Sequence, residues 1–111
     1  MTRAADIFPF LWPMLKEHYV ELGKSSKEKT ALFGTDFLKQ LITKFVKKKD
    51  LISYQKEYMR PLEEIFSLTK IFAIKEYIIG SLAYFINNHS ASLRSGWKVI
   101  LPIICEAFDE E

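Results

Sequence analysis

In the stretch LFGTDFLKQLITKFVKKK, residues 32–49, the apolar positions Phe33, Phe37, Leu38, Leu41, Ile42 and Phe45 fall at intervals of three and four, with Lys39, Gln40, Thr43 and Lys44 between them. That spacing draws one stripe along a helix of 3.6 residues per turn; a strand would scatter the same residues over both faces. The pattern recurs from Ile71 to Ile86 through Ile74, Ile78, Leu82 and Phe85. It recurs again through Trp97, Ile100, Leu101, Ile104, Cys105 and Phe108. Two further helices are predicted at about 8–22 and 50–68,.

The breaks between stripes carry their own chemistry. Gly23 is placed to end the first helix in a left-handed conformation, and GKSSKEK reads as a polar connection,. Lys47, Lys48 and Lys49 close the second helix, where cations meet the negative end of the helix dipole,. Asp50 is expected to cap the third, and NNHS ends the fourth,. Ser92 is expected to cap the fifth, with Leu93, Arg94 and Ser95 filling its first turn,. Such short connections make successive helices antiparallel, so the predicted fold is all-α, about five helices in an array of helical hairpins.

An internal repeat supports the array. Displacing Phe37, Leu38, Ile42, Phe45 and Val46 by 40 positions lands on Tyr77, Ile78, Leu82, Phe85 and Ile86. Displacing MRPLEEIF by 41 lands on ILPIICEA and aligns Pro61 with Pro102. Helix pairs repeating at about 40–47 residues have the period of HEAT and armadillo arrays. A proline inside a helix costs about 3 kcal/mol, so Pro61 and Pro102 predict bent helices, whereas Pro13 either bends the first helix or begins it.

Composition narrows the object further. The chain has 111 residues, enough for one domain, and is 49% apolar and 14% aromatic, which favours a packed core over disorder,. A net charge of +2 gives no global pull toward nucleic acid. One cysteine, Cys105, excludes a disulfide scaffold and fits a reducing compartment; lying on an apolar stripe, it is expected to be buried,. Four glycines and four prolines are too few to punctuate a many-stranded fold. The opening MTRAADIF lacks the apolar stretch of a secretory signal, and no apolar run is long enough to span a membrane,.

Three stretches then stand in a telling order: TDFLKQLITKFVKKKDL (35–51), YQKEYMRPLEEIF (54–66) and LRSGWKVI (93–100). Together they resemble the first homology segment downstream of the catalytic domain in the large, brefeldin-sensitive Arf guanine-nucleotide exchange factors of the Golgi. The pattern of that family runs Asp-Ser-Leu-(Arg)-Gln-Leu, then Phe-Gln-Lys-(Asp/Glu)-Phe-Leu-(Arg/Lys)-Pro-Phe, then Ile-Arg-Ser-Gly-Trp-Lys. The resemblance covers about residues 8–108 of a single helical-repeat segment, 1–111. Lys47 and Lys48 stand where the family carries an acidic pair, and its upstream Trp-x-x-Ile-Trp is only echoed by Phe8 and Trp12. The catalytic exchange domain is absent from this sequence, so the chain is expected to be a fragment or a lone regulatory segment that exchanges no nucleotide itself.

What the resemblance implies is a regulatory segment for autoregulation and membrane recruitment in vesicle-mediated transport. Its expected partners are activated Arf GTPase and other domains of the parent exchange factor, with an anionic membrane surface as a further one. Its expected place is cytoplasmic, peripheral to Golgi or trans-Golgi membranes. The alternative is a generic helical-repeat scaffold of coat, adaptor or importin type that binds extended peptides.

Read for chemistry, the residues offer interaction rather than catalysis. Ser95, Gly96, Trp97 and Pro61 are expected to lock the last hairpin onto the one before it, with a neighbouring helix close against Gly96,. Arg94 and Lys98, four apart on one helix face, are the candidate contacts for an acidic partner,. Residues 24–49 hold eight lysines against Glu28 and Asp36, a local net of +6. Lys44, Lys47, Lys48 and Lys49 are the candidates to face a membrane, or else form a solvated face. No aromatic alternates with these lysines to stack bases, so nucleic acid is not expected. His18, His89 and Cys105 lack metal-ligand spacing, Glu63 and Glu64 diverge on a helix, and no phosphate-cradling glycine loop exists,. No catalytic residue, metal, cofactor or small-molecule substrate is therefore expected. About two and a half helix pairs cannot cover their own outer faces, which predicts exposed apolar surface at one or both ends, with marginal stability or self-association.

Overall fold

The computed structural model describes residues 4–109. These fold as five α-helices: α1 (Ala4–Gly23), α2 (Glu28–Val46), α3 (Gln55–Leu68), α4 (Phe72–His89) and α5 (Trp97–Asp109). Two short 3-10 segments, Lys49–Tyr54 and Ser90–Ser92, lead out of α2 and α4. No strand occurs among the described residues.

The helices stack in two layers. α1, α3 and α5 pack side by side in one layer, α2 packs on α4 in the other, and each chain-neighbouring pair closes the gap between layers. Within a layer the helices run parallel: Asp36 and Lys39 of α2 meet Tyr77 and Tyr84 of α4, and Lys56 and Ser67 of α3 meet Ser95, just before α5, and Glu106 within it. Sequence neighbours run antiparallel, as when Tyr19 and Phe8 of α1 meet Phe37 and Phe45 of α2. The result is an elongated slab with Cα extents of 45 × 27 × 17 Å.

The predicted stripes supply most of the core. Leu38 and Ile42 of α2, Tyr58, Leu62 and Ile65 of α3, and Ile74, Ile78, Leu82 and Phe85 of α4 are essentially inaccessible to solvent. The 40-residue displacement maps α2 onto α4 and the 41-residue one maps α3 onto α5, so the sequence repeat is a repeat of packed hairpins. At the α1 end the core is aromatic. Phe8 stacks on Trp12 at 5.5 Å, and Phe45, Tyr54 and Tyr58 close around them.

Several expectations are corrected. Gly23 has no left-handed backbone; it ends α1 in ordinary helical conformation, and its missing side chain makes room for Ile65 and Thr35. Pro13 does not begin a helix but lies inside α1, as does Pro9. On α5 the core face is Val99, Ile100 and Ile103, while Leu101, Cys105 and Phe108 of the predicted stripe are exposed. Cys105 is therefore not a buried hydrophobe. α5 carries apolar residues on two faces, and spacing alone did not say which one the core would take. Apolar side chains do lie open at both ends of the slab, among them Phe10 and Met14 on α1 and Leu101 and Phe108 on α5.

Candidate functional site

The α4–α5 connection is held from across the layer by one side chain. Gln55, the first residue of α3, is 1% exposed. Its Nε2 donates to the Ser92 carbonyl at 2.6 Å. Its Oε1 accepts the backbone N–H of Arg94 at 2.6 Å and that of Gly96 at 3.2 Å. A buried amide that makes three bonds leaves few of its own groups unpaired and fixes three points of a loop at once.

Ser95 answers from the other side, its Oγ accepting the Lys56 N–H at 3.3 Å. That N–H belongs to the first turn of α3, one of the helix-end donors without an intrahelical acceptor. Gly96 completes the fit: a Cβ there would stand 2.8 Å from Met59 Sδ and 3.2 Å from Gln55 Oε1. Trp97 begins α5 half-buried against the core, and Pro61 lies buried inside α3. The close neighbour at Gly96 is α3. Gly96 itself, however, lies in the turn before α5 rather than within the helix.

This placement overturns the expected helix face of Arg94 and Lys98. α5 starts at Trp97, so Ser92 does not cap it; Trp97 N–H bonds the Arg94 carbonyl in a tight turn instead. Arg94 lies outside the helix, and its Nη1 donates to the carbonyls of Ala91 and Leu93 at 2.8 and 2.9 Å. Lys98 is exposed in the first turn of α5.

Arg94 instead joins the lysines. A groove of about 370 Å³ opens where the α2–α3 and α4–α5 connections meet, lined by Lys47, Lys48, Lys49, Arg94, Ile52 and Ser92 among others. No carboxylate lines it. Asp50, the nearest acid in sequence, is turned away: its Oδ2 accepts the Ala5 N–H at 3.0 Å, so it serves the start of α1 and not the start of α3 as expected. Lys44, one turn back on α2, is exposed but does not line the groove. Four cations converging without a counter-charge raise the local potential for an anion.

A second polar contact ties α2 to α4. Tyr77 donates its hydroxyl to Asp36 Oδ1, while Gln40 Nε2 donates to Asp36 Oδ2 at 2.9 Å. Burial, and then the Asp36 carboxylate, hold the Tyr77 hydroxyl above the ordinary tyrosine pKa. Among the described residues no three His, Cys, Asp or Glu side chains come together as a metal cluster would require. No described helix is long and apolar enough to cross a membrane.

Gln55, the residue that organises the connection, escaped the sequence reading. Its one visible sign was a polar residue at the head of the stripe Tyr58, Met59, Leu62, Ile65, Phe66, where an amide has no reason to be unless it is bonded,.

The region that holds this connection is also where the chain matches known proteins. The profile of the family described as "Mon2/Sec7/BIG1-like, HDS" matches residues 44–111. The brefeldin A-inhibited guanine nucleotide-exchange protein 1 of Rattus norvegicus and that of Homo sapiens are each 32% identical over 95 residues, covering 84% of this chain and 5% of the relative. The Arabidopsis thaliana protein of the same name is 26% identical over 113 residues, 100% of this chain and 7% of its own length. The chain thus spans only a small part of the curated relatives it matches. No solved structure matches. On the profile match, which takes in α3, α4, α5 and the clamp between them, the chain belongs to the Mon2/Sec7/BIG1-like HDS family.

Proposed function

We propose that this chain is a non-catalytic interaction segment of a large Arf guanine-nucleotide exchange factor, serving autoregulation and recruitment to Golgi membranes in vesicle-mediated transport. Family membership supports the parentage. The observation that carries the rest is the groove of Lys47, Lys48, Lys49 and Arg94, a cationic concavity without a lining carboxylate. Activated Arf, other domains of the parent and an anionic membrane surface are its proposed partners. A segment of this kind regulates only through a difference in affinity between states, so the chain must bind one nucleotide state of Arf better than the other.

The test is retention of Arf loaded with GTP or with GDP on the immobilised chain. GTP-dependent retention that is lost in the triple variant K47E/K48E/K49E supports the reading. Equal retention of both nucleotide forms removes the sensor role. Flotation with vesicles of graded anionic content addresses recruitment separately, and binding indifferent to that content removes the membrane from the set of partners.

A further inference from the structure

The two layers are unequal. One holds α1, α3 and α5, the other α2 and α4, so the second layer stops at α2 on the α1 side, with no further described helix beyond it. The gap lies over α1, on the flank of α2 away from α4. Asp36 and Lys39 face α4, and Leu41, two residues beyond Lys39, turns to the opposite side of the helix,. A groove of about 240 Å³ lies there, with walls formed by Ile7, Leu11, Trp12 and Leu15 of α1 and by Leu41 and Phe45 of α2. Every residue lining it is apolar. Ile7 and Leu11 are 39% and 47% exposed, and Phe10 and Met14 extend the apolar rim along α1.

We propose that this groove seats one amphipathic α-helix, lying parallel to α2 and antiparallel to α1. Three observations choose a helix over other occupants. First, α4 packs on α2 in parallel, 40 residues on in the repeat; the same step taken backward from α2 lands on this groove. Second, both walls are helices whose backbone groups are already bonded internally. An extended peptide would find no ladder to join, whereas a helix brings its own hydrogen bonds. Third, Ile7, Leu11 and Leu15 on one wall and Leu41 and Phe45 on the other stand four apart, ridges that interdigitate with the corresponding ridges of a packed helix,. The occupant needs apolar residues at i, i+3 or i+4, and i+7, with a polar back. This inference does not depend on Arf or on lipid.

The experiment titrates the full chain into a fluorescein-labelled peptide and follows anisotropy. The peptide is the stretch of about 25 residues of the human relative that ends where its counterpart of α1 begins, one repeat step before α2. Saturable binding that weakens at least tenfold in Leu11→Glu and Leu41→Glu, with Lys70→Glu at an exposed site outside both grooves unchanged as the control, supports the proposal. Circular dichroism establishes that the variants keep their fold, and should Leu11→Glu lose it, Ile7→Ala reads the same wall. No binding, or binding that these substitutions leave intact, overturns it. So does a concentration-dependent dimer that Leu11→Glu dissolves, which would make the occupant a second copy. Adsorption to zwitterionic vesicles that Leu11→Glu abolishes would make it a lipid surface and overturn the helix equally.

Discussion

Gln55 ties three points of the α4–α5 connection through one side chain. Replacing it with leucine keeps the volume roughly and strands the N–H groups of Arg94 and Gly96 together with the Ser92 carbonyl. A stranded buried group costs about 1–3 kcal/mol, and part of this loop can turn to water. Gln55→Leu should therefore lose about 3 kcal/mol, read as a fall in Tm of more than about 10 °C. Hydrogen exchange should show the loss of protection first at 92–96 and in α5. Tyr58 is the contrary case. Its hydroxyl is buried without a partner in hydrogen-bonding geometry, although the Gln55 side chain beside it offsets a little of what burial does. Burial holds its pKa above the ordinary value of 10.0, as burial and Asp36 do for Tyr77. The sign follows directly: above about pH 10 unfolded tyrosines release protons that the folded ones keep, so stability present below that pH is lost as pH rises. Tyr58→Phe removes the unpartnered hydroxyl, and should leave stability at pH 7 unchanged or raise it by about 1 kcal/mol. It should also soften the decline seen in thermal melts taken from pH 9 to 11.

At the scale of elements, the helices were legible and their ends were not. Stripes such as Ile74, Ile78, Leu82 and Phe85 announce a helix because side-chain spacing is a local property. Caps here are long-range: none of α2, α3 and α4 has a local side-chain cap, and Ser95 serves α3 from 39 residues away as Asp50 serves α1 from 45. A search for Ser, Thr, Asp or Asn next to each stripe was therefore bound to misplace Asp50 and Ser92. The same limit hid a close crossing of α1 and α2 at Gly34. A Cβ on Gly34 would stand 2.7 Å from Leu22 Cβ, 2.8 Å from the Gly23 nitrogen and 2.9 Å from the Tyr19 oxygen. Two of those contacts are backbone, which cannot rotate away, so Gly34→Ala must push α1 off α2. Its expected cost is about 3 kcal/mol, at the upper end of overpacking. Gly80 in α4 would meet nothing within 4 Å, and Gly80→Ala should stabilise by about 0.5–1 kcal/mol,. Urea unfolding of the pair checks both; a Gly34→Ala as stable as the parent would show that α1 and α2 are not in the contact described.

For the molecule as a whole, the repeat shows that α5 differs from its counterpart in a directed way. Lys56, Arg60, Glu63, Glu64 and Ser67 of α3 correspond, 41 positions on, to Trp97, Leu101, Ile104, Cys105 and Phe108 of α5. Both sets lie at or toward the surface, yet one is polar and the other apolar. Leu101 and Phe108 are 53% and 69% exposed. Scattered apolar residues on a surface need no explanation, but a helix-long stripe replacing a polar one is a face that water covers poorly. This is also why the sequence stripe on α5 misled: with two apolar faces, burial of Ile100 and Ile103 and exposure of Leu101 and Phe108 are separated only by which neighbour, α3, is present. The double variant L101K/F108K should therefore leave Tm nearly unchanged, because neither side chain is in the core. Ile103→Lys, placing a charge at a fully buried position, should abolish cooperative melting,. In sedimentation velocity the parent chain should self-associate as concentration rises, and L101K/F108K should remain monomeric over the same range. A parent chain that stays monomeric throughout would mean that this stripe, open as it is, does not drive association.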